Sequence, residues 1–111
     1  MHAVIVPPEF MGTNLLIGLS AMPAGLPGPP PVVISRLASL DGALLEQVRP
    51  ARILCPLLAR DFDASLVATR LQALGYDGHL TVVSPPLPNR AMVQRELASL
   101  APGMTVDVHE I

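Results

Sequence analysis

The chain contains no lysine and no tryptophan. Its basic residues are seven arginines, Arg36, Arg49, Arg52, Arg60, Arg70, Arg90 and Arg95, set against nine acids. They are scattered, so the basic stripe that a nucleic-acid binder needs is missing. Aromatics are equally scarce, with two phenylalanines and one tyrosine. Leu, Val, Ile, Ala and Met must therefore build the core. A single cysteine, Cys55, cannot close an internal disulfide, so nothing points to an oxidising compartment. The most apolar early run, Leu15 to Met22, falls well short of the ~20 residues of a membrane helix. No Lys or Arg precedes Arg36, and Glu9 stands before the run, a poor match to a secretory signal. The expectation is a cytoplasmic protein that binds neither nucleic acid nor membrane.

What is present is a long alternation of apolar runs and turn chemistry. The 111 residues, half of them hydrophobic, suit one domain over 1–111 that buries roughly two thirds of its unfolded surface. Residues 3–6 read as a short strand stopped by Pro7 and Pro8. Residues 13–22 read as a short helix with Thr13 or Asn14 as N-cap. Residues 23–31 form a proline-rich, extended loop. Val32 to Ser35 is a second strand, and Asp41 caps a helix carrying Leu44, Leu45 and Val48, ended by Pro50. Ile53 to Cys55 is a third strand. Asp63 caps a helix with Val67, Leu71 and Leu74 on one face, and Gly75 fits its left-handed end. Leu80 to Ser84 is a fourth strand. Asn89 caps the helix of Val93, Leu97 and Leu100, and Thr105 to Glu110 is a last strand. Such alternation means an α/β domain with a doubly wound, mainly parallel sheet of five strands, its first helix short or irregular and no final helix.

Residues 44–84, LLEQVRPARILCPLLARDFDASLVATRLQALGYDGHLTVVS, resemble the middle of a bacterial response-regulator receiver domain. A helix ending in Arg-Pro leads into a hydrophobic strand. Phe62-Asp63-Ala64 stands in for a Met-Asp-Gly turn, Leu74-Gly75-Tyr76 matches a helix end, and Ser84 matches a strand-end Ser/Thr. The resemblance implies a flavodoxin-like strand order, 2-1-3-4-5. It also implies a lost activity. The family's phosphate acceptor falls on Pro56, or on Cys55 with a shift of one residue. Proline carries no nucleophile, and a thiol is not the carboxylate of this chemistry. The acidic pair that holds Mg²⁺ falls on Pro7 and Pro8, with Glu9 just beyond, and the family's lysine has no counterpart. Cys55, Pro56 and Ser84 then mark a degenerate phosphosite.

Smaller signals have bland readings beside functional ones. Cys55 is a reactive thiol at a sheet end or a small buried hydrophobe, and the second is expected. Glu9, Asp61 and Asp63 would suit a residual cation site, against a loop charge for Asp61 and a helix cap for Asp63. His2, His79 and His109 lack ligand spacing, and no metal is expected. Gly25 to Gly28 matches neither a dinucleotide nor a P-loop pattern, so no cofactor is expected.

One face of the sheet is thinly supplied with helix. In β-strand 105–110, Val106 and Val108 alternate with Thr105, Asp107 and His109, the pattern of a strand with one wet or partner-facing side. Either the 10–28 segment folds across this face or another subunit covers it. The expected interface comprises Met11, Leu15, Leu16, Leu19 and Met22 with Asp107 and His109, joining a homodimer or a protein partner. The expected function is a non-catalytic regulatory or scaffolding module of pseudo-receiver type. The rival is a small-molecule binder or enzyme using the crevice at the strand ends.

Overall fold

The computed structural model describes residues 12–26 and 28–111. The strand expected over 3–6, together with His2, Pro7, Pro8, Glu9 and Met11, lies outside the described residues. Five strands, β1 (Asn14–Ile17), β2 (Val32–Ile34), β3 (Arg52–Pro56), β4 (His79–Ser84) and β5 (Thr105–Glu110), form one sheet in the order β2-β1-β3-β4-β5. Every pairing is parallel. This is the flavodoxin-like order. The helices are α1 (Gly42–Val48), α2 (Ala64–Ala73) and α3 (Arg90–Leu100), with a single 3₁₀ turn at Leu37–Ser39.

The expected helix over 13–22 is not there; its first half is β1. Leu15-Leu16-Ile17 is a continuous apolar triplet with no helical period, and all four strand residues are buried. A strand between two neighbours and beneath cover on both faces must be apolar throughout. Gly12 and Gly18, both at positive φ, bound it. A Cβ on Gly18 would also sit 2.7 Å from Cζ of Phe62, so this turn has room for no other residue. The register of the family resemblance moves accordingly: Gly18, Leu19 and Ser20 follow the strand end, and no carboxylate is among them.

Local chemistry fixes the helices as expected. Asp41, Asp63 and Asn89 are N-caps, each accepting from the third amide onward, at 2.8 Å from Leu44, 2.9 Å from Leu66 and 3.0 Å from Met92. Gly75 takes φ +79° after α2. Arg49, not a glycine, adopts the left-handed C-cap of α1, and Pro50 prevents continuation.

Handedness then places the layers. Steps from β2 to β3, β3 to β4 and β4 to β5 are made through α1, α2 and α3. Right-handed crossovers in one direction put those helices on one face. Leu15, Ile17, Ile53, Cys55, Leu80, Val82, Val106 and Val108 meet them in a single core with Val67, Leu71 and Leu97. The step from β1 to β2 runs the opposite way, so the same rule sends the described residues of the connection, 18–26 and 28–31, over the other face. Ala24 O accepts from His109 Nε2 of β5 at 3.2 Å, and Gly28 lies against Asn14 of β1. That connection contains no regular helix among its described residues. β2 is an edge strand, and Val32 and Val33 are exposed rather than covered on both sides as expected for an apolar strand. Among the described residues no helix is long and apolar enough to cross a membrane.

Candidate functional site

The carboxyl ends of the strands form the first candidate. β3 ends on Pro56, followed by Leu57, whose amide donates to Val83 O of β4 at 2.9 Å. Cys55 points the other way, into the helix-side core, with no exposed surface. Burial, aided by the negative charge of Asp63, pushes its thiol up to about 12. A thiol held protonated at neutral pH is neither a nucleophile nor a ligand. Ser84 ends β4, is buried, and donates to Pro85 O at 2.7 Å. Its hydroxyl hydrogen is thus committed to the backbone.

The carboxylates at this end are also committed or isolated. Asp63 Oδ1 is the cap of α2. Glu110 Oε2 accepts the Leu87 amide at 2.7 Å and so anchors the β4–α3 loop to β5. Asp61 is exposed on the rim. Among the described residues no group of three His, Cys, Asp or Glu side chains comes together as a metal site would require.

Two clefts open here. One of about 370 Å³ lies where the chain reverses direction across the sheet, between the ends of β1, β2 and β3. Leu19, Val33, Ile34 and Phe62 give it an apolar floor, and Ser20, Ser35, Arg60 and Asp61 a polar rim. The second, of about 410 Å³, spans the ends of β3, β4 and β5 and is almost wholly apolar, lined by Pro56, Leu57, Leu58, Val83, Leu87 and Ile111 among others. Leu57 and Leu58 also belong to a groove of about 510 Å³ between α2 and α3, with Val93, Leu97 and Leu100. Leu58 is 77% exposed at the junction of the two. Sharing Leu57 and Leu58, the two make a mainly apolar track from the helix layer over the strand ends, with Ser65, Glu96 and Ser99 on its helix-layer part.

The expected interface residues are dispersed. Leu15 and Leu16 have no exposed surface and lie inside β1, so neither is available at the surface of this fold. Leu19 and Met22 are half-buried. Asp107 and His109 are half-buried on the second face of β5, as the alternation requires.

That second face carries a polar cluster that the sequence did not disclose. Asn14, Arg52 and His79 are aligned across β1, β3 and β4, and Thr81 pairs with Asp107 across β4 and β5. Asn14 Oδ1 accepts from Arg52 Nε at 3.2 Å. Asp107 Oδ1 accepts from Thr81 Oγ1 at 2.9 Å and pairs with His79 Nε2. Burial alone would raise the Asp107 carboxyl. The hydrogen bonds from His79 and Thr81, with the positive charges of His79 and Arg52, outweigh it and hold the group below its ordinary value. Arg52, Thr81 and Asn14 are all buried, and Asn14 Nδ2 has no acceptor among the described residues. These hydrogen bonds tie neighbouring strands of the sheet to one another, and none of the clefts described above is lined by these residues. Its signal lay in the period-two spacing of His79 with Thr81 and of Thr105 with Asp107, which shares a face with Arg52 only once the register is known.

Comparison of the chain with protein-family models, with curated proteins and with solved structures gives no match.

Proposed function

We propose that this domain is a non-catalytic, receiver-like module that works by protein–protein contact in the cytoplasm. The observation that carries the reading is the end of β3. On the receiver resemblance the acceptor position falls on Pro56, which ends β3, or on Cys55, which turns into the core with its thiol raised to about 12. Neither residue offers the carboxylate nucleophile that this phosphoryl transfer uses. The β1 end supports the same reading, since Gly18, Leu19 and Ser20 offer no carboxylate. The apolar track through Leu58, Leu87, Leu100 and Ile111 is suited to a partner's side chains rather than to a charged substrate.

Incubation with a small acyl-phosphate donor and Mg²⁺, read by intact mass, tests it. The proposal expects an unchanged mass. A stoichiometric gain of about 80 Da, the mass of one phosphoryl group, would overturn it.

A second reading is favoured by the cleft at the chain-reversal point, where open α/β sheets usually bind ligands. Ser20, Ser35, Arg60 and Asp61 around an apolar floor would take a small amphipathic molecule. A fragment screen by amide NMR separates the two readings. Saturable shifts confined to Gly18, Ser20, Ser35 and Asp61 would favour the small-molecule reading.

A further inference from the structure

We propose that β5 pairs antiparallel with β5 of a second copy of this chain, centred on Val108. The proposal rests on the interaction-module reading and names its partner.

Among the described residues β5 is the last strand of the sheet, with β4 on one side and no strand on the other. The amides of Thr105 and Ile111 donate inward, to Gly78 O and Ser84 O. In a regular strand the intervening even-numbered residues turn their amides outward. Val108 N does so, and it is met by the side chain of Gln94 on α3 at 2.9 Å. The outward set is therefore Val106, Val108 and Glu110.

Self-pairing about Val108 sets Val108 against its copy and Val106 against Glu110. All three outward residues then lie in hydrogen-bonded pairs, and the whole strand overlaps. The same register sets Asp107 opposite His109 of the other copy, twice, on the second face. A centre on Asp107 would instead oppose two carboxylates, and a centre on His109 two imidazoles. Charge thus selects one register, as directly opposed like charges destabilise a strand pair. Asp107 accepts from His79 and Thr81 through Oδ1 alone, and its side chain remains 41% exposed. His109 is likewise half-buried. On α3, Ala91 and Ala98 share the helix face of Gln94 at i−3 and i+4, while Arg90 at i−4 lies with its Nε 3.8 Å from Glu110 Oε1 of β5.

Gln94 is the local competitor. Its amide oxygen occupies the Val108 N–H in the single chain, the kind of cover that blunts an edge strand. Pairing exchanges it for a backbone carbonyl.

The test is solution mass from micromolar to millimolar chain, with amide hydrogen exchange at both limits. The mass is expected to rise from monomer to dimer. The Val106 and Glu110 amides gain protection with concentration, while that of Thr105, already bonded to β4, does not change. His109→Asp opposes like charges at both symmetric positions and weakens the dimer about tenfold. Gln94→Ala, which removes the competitor, tightens it. A monomer at all concentrations overturns the proposal. So does a dimer without the added protection, or one whose dissociation constant either variant leaves unchanged. A monomer would leave the interaction-module reading to its own phosphodonor test, so the two fail separately.

Discussion

At the scale of single residues, the chain uses polarity sparingly and binds it down. Asp107 shows how. Its carboxylate takes hydrogen bonds from His79 and Thr81, beside the charge of Arg52, and is held below its ordinary value. Folding therefore favours the ionised form. That contribution is fully present above the unfolded value, about 3.9, and is lost as pH falls through the lower folded value. With a partly exposed side chain, its size is about 1 kcal/mol or less. Urea unfolding of the wild type and Asp107→Asn, from about pH 6 to about pH 2.5, checks it. The gap between the two should shrink with acidification. A gap independent of pH would contradict the assignment. Cys55 is the opposite case, a group whose reactivity is removed by the core around it. The helix caps were legible at this scale. Asp41, Asp63 and Asn89 satisfy amides within three residues of themselves, and such chemistry needs no tertiary context. The role of Arg52 was not legible. It reads as one more scattered arginine until β1 and β4 are placed on either side of it.

At the scale of elements, the instructive case is the stretch from Gly12 to Pro31. Its strand reads in the sequence as part of a helix because an apolar triplet carries no period of its own. What decides it is position: a strand with β2 and β3 on its flanks is buried on both faces. The return path to β2 is set by handedness and carries no regular helix among its described residues, consistent with seven glycines and prolines between Gly18 and Pro31 outside residue 27. Two glycines in it separate strain from crowding. Gly18 at φ +76° faces Phe62, whereas Gly25 at φ +82° has nothing within 4 Å of a built Cβ. Gly25→Ala should cost about 1 kcal/mol from backbone strain alone. Gly18→Ala adds displacement of a ring that is itself buried, and should cost about 2–4 kcal/mol. Equal losses in denaturant unfolding would mean that Phe62 moves aside freely. β5, by contrast, was readable in full. Its alternation of Val106 and Val108 with Thr105, Asp107 and His109 matches a strand with helix on one side and polar cover on the other.

At the scale of the whole molecule, the sheet order emerged from element order and a family resemblance together, and the parallel β2-β1-β3-β4-β5 sheet agrees with it. The site was less legible. Sequence motifs placed Cys55, Pro56 and Ser84 at strand ends, yet only side-chain direction separates a thiol in a crevice from one in the core. The apolar track is assembled from the β3–α2 loop, the β4–α3 loop, α3 and Ile111, segments far apart in the chain. No local pattern joins them. On the proposed function, the strand ends are receiver-like in shape and do not take part in phosphoryl chemistry. Amide NMR of the ¹⁵N-labelled chain, titrated with Mg²⁺ and then a small phosphodonor, tests it most directly. The account predicts unperturbed resonances for Gly18, Leu57 and Ser84 at every step. Saturable shifts at these three positions on adding Mg²⁺, or a new set of peaks there after the donor, would contradict it.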